Sequence, residues 1–104
     1  MSGDRIAALR RMLERNPSDD RIRFGLAAEY EKAGDWEHAA ETLRRYLESA
    51  DDEGNAWGRL GRALRELDRD ADARAAYERG VIEANRHGHP SMAAEFEEIL
   101  ENWD

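Results

Sequence analysis

Three arginines follow one another at three-residue steps, at Arg59, Arg62 and Arg65. In a helix this spacing places side chains next to one another. A guanidinium group pairs well with a carboxylate because its planar fork donates two parallel hydrogen bonds. The stripe therefore predicts binding of an acidic peptide or a C-terminal carboxylate. An alternative stays open, in which Glu95 and Glu98 neutralise the arginines through ordinary ion pairs that each contribute little to stability.

The other residue types that could perform chemistry do not form a recognisable site. His87 and His89 lie one residue apart and His38 is distant in sequence, whereas a metal site needs more converging ligands. The sequence predicts a solvated linker there, and it predicts that the acidic runs 51–53 and 97–98 are solvated too. The chain has no cysteine, and it lacks phosphate-loop, serine-nucleophile and zinc-protease motifs. We therefore expect no enzyme, no cofactor and no metal.

The amino-acid composition limits which fold class and which kinds of partner are expected. The chain has 104 residues, of which 40% are hydrophobic and 38% charged, and it contains two prolines, one valine and one threonine. Helix formers dominate, so an all-α domain is predicted. The net charge of −8 disfavours nucleic acid as a partner. The N-terminal stretch lacks the apolar run of a signal peptide and no stretch could cross a bilayer, so we expect a cytoplasmic protein with no membrane contact.

The sequence repeats with a period of 34 residues. Apolar residues fall on apolar residues and small residues on small ones when the chain is shifted by this period. The superposed pairs are Leu26 and Leu60, Ala27 and Gly61, Tyr30 and Leu64, Ala39 and Ala73, Leu43 and Tyr77, Leu47 and Val81, and Ala50 and Ala84.

Each repeat is predicted to be a pair of helices. Apolar residues recur at steps of three and four on both sides of a short break. In the first repeat the break is Gly34-Asp35, in which the glycine suits a left-handed helix end and the aspartate suits the next N-cap. In the second repeat Asp68 and Asp70 flank the corresponding turn.

These residues resemble the tetratricopeptide repeat family. Its pattern is tryptophan, leucine-glycine, an aromatic, alanine and a second aromatic. The residues of the second repeat at these places are Trp57, Leu60-Gly61, Leu64, Ala73 and Tyr77. The first repeat matches less fully, with Arg23 at the tryptophan place and Leu43 at the second aromatic place. The resemblance implies a right-handed superhelical array of antiparallel helix pairs, with about six helices in total.

The flanks extend the array by one helix at each end. Shifting backwards makes the first helix the equivalent of the second helix of a repeat, with Arg5 where alanine is expected. A forward shift of 36 aligns the last helix with the first helix of a repeat, with Ser91 as its N-cap and Glu97 at the place of Gly61. Because Glu97 is large, we expect this helix to be a terminal cap, and Trp103 to close it or to meet a neighbouring domain. The predicted organisation is one domain over 1–104, with a half-repeat or cap helix at 4–16, repeats at 20–53 and 54–87, and a capping helix at 91–103.

The resemblance also implies where a partner would bind. In this family the first helix of each pair lines a concave groove that takes an extended peptide or a partner helix. Gly25 and Gly58 would leave room there for a ligand backbone. A clamp for chaperone C-terminal tails is disfavoured, because only Arg59 matches its pattern. The alternative is a structural piece of a longer repeat array or a self-associating scaffold. The predicted groove residues are Arg21, Phe24, Ala28, Lys32, Asn55, Arg59, Arg62 and Arg65.

Overall fold

The structure is a computed structural model that describes residues 2–103. Over this range the chain forms six α-helices and no β-strand, which confirms the predicted all-helical fold. The helices are α1 (Ser2–Arg15), α2 (Asp20–Lys32), α3 (Trp36–Ser49), α4 (Asn55–Glu66), α5 (Asp70–Arg86) and α6 (Pro90–Glu101).

The described residues divide into two compact units, 2–50 and 51–103. In the first unit α2 packs against both α1 and α3, and in the second α5 packs against both α4 and α6. The connections 33–35 and 67–69 are short, so the helices that they join run antiparallel. Each unit therefore contains one of the two helix pairs that the repeat predicts.

The turns inside the two helix pairs share one backbone feature, a residue in the left-handed conformation. Gly34 has a φ of 72°, and the side chain of Asp35 accepts a hydrogen bond from the His38 N–H at 3.2 Å, as the sequence predicts. Asp68 occupies the equivalent place one period later and has a φ of 59°. Aspartate tolerates this left-handed conformation better than most residues other than glycine, so the second turn forms without one.

Small residues let the helices of each pair approach closely. Ala27 and Ala39 are fully buried in the first unit, and Ala73 is fully buried in the second. A methyl group on Gly61 would lie 2.8 Å from the ring of Tyr77. Larger side chains complete the cores beside these contacts. They are Leu26, Tyr30 and Leu43 in the first unit, and Leu60, Leu64 and Tyr77 in the second.

Arg23 stands where the family has tryptophan, and the structure shows how an arginine fits there. It is only 8% exposed. Its guanidinium group donates a hydrogen bond of 2.6 Å to the carbonyl of Pro17 and one of 3.3 Å to Asp20. The buried charge is therefore paired, and it ties the connection between α1 and α2 to the body of α2.

The N-cap of the last helix lies two residues earlier than predicted. Pro90 is its first residue and His89 takes the N-cap position, so the prediction of Ser91 as the N-cap was wrong. Proline is favoured at the first helical position because its fixed φ suits a helix and that position needs no N–H donor.

Phe96 docks α6 into a recess between α4 and α5. A methyl group on Gly80 would lie 2.9 Å from the Phe96 ring, and one on Gly58 would overlap that ring. The places equivalent to these two glycines in the first unit are held by Phe24 and Tyr46, whose ring centroids are 5.0 Å apart. One unit therefore fills this recess with a side chain of the following helix, and the other fills it with its own two rings.

Candidate functional site

The predicted groove residues of the first unit lie on one face of α2. Arg21, Phe24, Ala28 and Lys32 follow one another at steps of three and four, which place them on one side of a helix. The Arg21 side chain is 94% exposed and lies 3.6 Å from Asp19. The opposite side of the helix is held in the core. Its buried members are Ile22, Leu26, Ala27 and Tyr30.

Both ends of this face carry positive charge, with an aromatic ring between them. At the far end Lys32 is 70% exposed and lies 3.3 Å from Glu29. Phe24 is half-buried against Tyr46. These two rings line a shallow pocket of about 210 Å³ together with Asp20 and Arg21. The face thus offers separated cations and one apolar recess.

The predicted groove residues of the second unit lie on α4. Asn55, Arg59 and Arg62 also follow one another at steps of four and three. Asn55 and Arg62 are exposed and Arg59 is half-buried. The structure therefore places the eight predicted residues in two groups, one on each unit. The side of α4 that holds the helix in the core is built from Ala56, Leu60, Gly61, Ala63 and Leu64, and Gly58 is buried on the other side under Phe96.

Arg65, the last arginine of the stripe, contacts an aromatic ring. Its guanidinium carbon lies 4.1 Å from the centroid of the Trp103 ring, and that of Arg74 lies 5.2 Å from the same ring. Such contacts contribute about 0.5–1 kcal/mol each at exposed sites. The Trp103 ring also meets Tyr77 edge-on at 6.0 Å. Arg65 therefore helps to hold the end of the chain against the second unit, a role that its three-residue spacing does not indicate.

The charges of two arginines of the stripe affect the pKa of Tyr77. Burial raises the pKa of its phenol, and the positive charges of Arg65 and Arg62 act in the opposite direction. Its ring is 5% exposed and also packs against Phe96, with centroids 5.7 Å apart. Tyr77 is thus a neutral, buried packing residue beneath the arginines.

One of the two glycines expected to leave room for a ligand does not. The space above Gly58 is filled by the Phe96 ring, so this expectation was wrong, because the sequence does not show that α6 reaches α4. A methyl group on Gly25, by contrast, would meet no atom of the described residues within 4 Å beyond its own stretch of helix. Open space next to a predicted groove residue therefore remains on α2.

The linker histidines are engaged in contacts, contrary to the expectation that they are solvated. His87 is half-buried, and its Nδ1 contacts the backbone carbonyl of Glu83 at 2.9 Å. Its Nε2 lies 3.5 Å from a carboxylate oxygen of Asp51, and His89 pairs with Glu53. The run 51–53 meets the linker 87–89 through these contacts, and its Asp51 and Glu53 side chains remain 73% and 59% exposed, as expected of a solvated run. These segments are far apart in sequence, so no local pattern reveals the contact.

Asp51, Glu83 and His87 have ligand atoms within 4.8 Å of one another, the spacing that a metal ion requires. Glu83 is 4% exposed and already lies 3.0 Å from Arg79 and 3.6 Å from Arg86. Arg86 also reaches Asp51 at 3.4 Å. Two guanidinium groups thus supply the positive charge that a metal would bring, and they would repel one. The arrangement fits an ion-pair network better than a metal centre.

This network predicts a pH-dependent contribution to stability. The hydrogen bond with the Glu83 carbonyl raises the pKa of His87 above 6.5, partial burial opposes this, and the Asp51 carboxylate adds to it. Because the folded-state pKa is raised, the stabilisation is complete below the unfolded-state pKa and is lost as the pH rises through the folded-state value. We expect the His87→Gln variant to have a lower free energy of unfolding than the wild type at about pH 6. At about pH 8.5 the two free energies should be nearly equal.

Urea unfolding across this pH range measures the effect. His38→Gln is the control, because His38 belongs to the first unit and pairs with Asp35. Equal pH profiles for wild type and His87→Gln would contradict the assignment.

The geometry defines the class of protein first. Two antiparallel helix pairs in the same repeat register, joined to further helices by short turns, are the structure of an α-helical repeat protein. Comparison with known proteins then gives the family. A tetratricopeptide repeat family model matches residues 6–58. A TPR repeat-containing protein of Pseudomonas aeruginosa is 35% identical over 99 residues, which are 95% of this chain and 94% of the relative. The comparison with solved structures gave no match.

The chain belongs to the tetratricopeptide repeat family, as the sequence resemblance predicted. Proteins of this family are generally protein–protein interaction modules and are typically non-enzymatic scaffolds. Within residues 2–103 no helix is both long and apolar enough to span a membrane.

Proposed function

We propose that this chain is a non-catalytic adaptor that binds acidic segments of a partner protein through two surfaces, the exposed face of α2 in one unit and that of α4 in the other. The observation that carries the proposal is the position of Arg59 and Arg62. They lie on the side of α4 that is not packed into the core, in a half of the chain (51–104) with seven arginines against fourteen acidic residues. These cations lie on one face of a half that is otherwise acidic, and guanidinium groups favour a ligand of opposite charge.

The net charge of −8 does not prevent such binding. Exposed charges farther from the ligand than about 8 Å are largely screened at physiological ionic strength, so the nearby guanidinium groups dominate the local field. The same net charge disfavours long phosphate backbones, whose many charges extend beyond the two arginines. A short acidic peptide therefore suits the face better than a nucleic acid does.

The recess beside α2 supports an apolar anchor for a segment that binds the first unit. Phe24 and Tyr46 line it together with Asp20 and Arg21. Aromatic recesses contribute binding energy through buried apolar area. The segment proposed for this face carries at least one large apolar side chain.

A peptide-library selection tests the proposal. Random peptides are displayed either within a longer chain or with a free C-terminus, and they are selected for binding to the wild type. The affinity of the selected peptides for the R59Q/R62Q variant is then measured. Arg65 is left intact because it supports Trp103. We expect acidic peptides to be enriched, and their affinity to fall at least about tenfold in the variant, since charge-assisted hydrogen bonds are lost.

The control is R10Q/R11Q, which removes the same charge from exposed positions of α1. A general electrostatic effect would lower the affinity equally in both variants. Enrichment of peptides without acidic residues, or equal affinity for wild type and R59Q/R62Q, would contradict the proposal. Thermal unfolding of all three proteins confirms that each is folded.

A further inference from the structure

The helices at the two ends of the structure have complementary places in the repeat. By the sequence register α1 is equivalent to α3 and α5, the second helices of the pairs, and α6 is equivalent to α2 and α4, the first helices. Where the second helices have the buried residues Ala39 and Ala73, α1 has Arg5. Where the first helices have Ala27 and Gly61, α6 has Glu97. The two small residues of each complete pair are thus replaced by an arginine and a glutamate.

Both of these charged residues lie on exposed stripes. The Arg5 side chain is 67% exposed, and Ala8 and Met12 continue the same side of α1. Met12 is 46% exposed, one of the two large hydrophobic residues that are exposed among the described residues. On α6 the stripe consists of Ala94, Glu97 and Glu101, all of which are exposed.

The two helices also have opposite charge. The segment of α1 contains four arginines against two acidic residues, whereas that of α6 contains four glutamates and no basic residue. Electrostatic complementarity of this kind fixes orientation and disfavours association between like ends. Arg5 on the α1 stripe therefore matches the glutamates of the α6 stripe, and the net positive charge of α1 disfavours pairing with α1 of a second copy.

We infer that α1 of one copy packs antiparallel against α6 of a second copy, so that the two helices form a helix pair between molecules. In the register of the complete pairs, Arg5 then lies next to Glu97 and Glu101, and Met12 lies next to Ala94. This contact goes beyond the proposed function, because it uses neither α2 nor α4.

Arg5 can change partners at low cost. In the isolated chain it lies 3.1 Å from Glu29, whose side chain is 8% exposed. Lys32 also lies 3.3 Å from Glu29, so this buried carboxylate keeps a cation when Arg5 turns towards a second copy. The contact joins different surfaces of the two molecules, so it allows open chains of copies to grow.

Sedimentation equilibrium tests the contact. We expect the wild type to associate reversibly at concentrations up to about 1 mM, and association to weaken as salt is added. The M12D variant places a carboxylate opposite the acidic stripe, and we expect its association to weaken at least about tenfold. The matched control is I82D, because Ile82 is 58% exposed on α5 and lies outside both stripes. We expect I82D to associate like the wild type.

Cysteine cross-linking tests the pairing of the two helices. The natural chain has no cysteine. We expect an equimolar mixture of M12C and A94C to form a mixed disulfide dimer in preference to either homodimer. A mixture of M12C and I82C is expected to show no such preference.

A wild type that sediments as a monomer at every concentration would overturn the inference. So would equal effects of M12D and I82D, or a mixed disulfide that forms equally well with I82C. The test is separate from that of the proposed function. R59Q/R62Q is expected to associate like the wild type, and M12D is expected to bind the selected peptides like the wild type, so the failure of one proposal leaves the other standing.

Discussion

Leu64→Ala is expected to lower the free energy of unfolding by about 2–5 kcal/mol, because it removes a buried side chain and leaves a cavity. Leu64 is 1% exposed and holds α4 in the core of the second unit. The interior between the helices of a pair is closely packed, so the residues around Leu64 can only partly fill the cavity that the substitution leaves. Urea unfolding followed by circular dichroism measures the change.

Leu100→Ala is the control for this prediction. Leu100 stands at the place of α6 that is equivalent to Leu64, but it is half-buried. Less apolar area leaves water there on folding, so we expect a cost of only about 1–2 kcal/mol. If the two variants lost the same stability, the register that places one leucine in the core and the other at its edge would be wrong.

The second large effect is expected at Gly58, and its sign should depend on Phe96. A methyl group on Gly58 overlaps the Phe96 ring, so we expect Gly58→Ala to cost about 1–3 kcal/mol through overpacking. A Phe96→Ala background removes the three atoms nearest to this methyl group, all of which belong to the Phe96 ring. There it should stabilise the protein by about 0.5–1 kcal/mol, since alanine favours a helix more than glycine does.

A double-mutant cycle measures this reversal, because the two residues are in contact and should not act additively. Gly25→Ala is the matched control, since Gly25 is also inside a helix and has open space above it. It is expected to be stabilising in the wild type. A Gly58→Ala effect of the same size and sign with and without Phe96 would show that α6 does not dock in this recess.

The fold was predictable from the sequence because the repeat is encoded in residue size and polarity. The 34-residue shift places small residues such as Ala27 and Ala39 where helices meet, and a glycine or aspartate at each turn. The structure has buried small residues at the helix contacts of both pairs, and it has Gly34 and Asp68 at their turns. The N-cap of α6 is His89, two residues before the predicted Ser91, because the general preference of serine for an N-cap is outweighed here by the preference of Pro90 for the first helical position.

The contacts of the candidate site were less predictable, because they depend on residues distant in sequence. Nothing in the spacing of the arginine stripe shows that Arg65 meets Trp103, or that Phe96 reaches Gly58. The presence of glycine at 58 and 80, where the other repeat has Phe24 and Tyr46, was a usable signal. A missing large side chain in one repeat indicates that another element fills the space. The linker network around His87 had no such signal, since histidine and carboxylates are common in solvated turns.

We propose binding of the partner at the faces of α2 and α4. Amide chemical-shift mapping of the isotopically labelled protein, titrated with the tightest acidic peptide from the selection, tests it most directly. We expect the perturbed amides to cluster on α2 around Phe24 and on α4 around Arg59 and Arg62. Perturbations confined to α1, α3, α5 or α6 would contradict the claim.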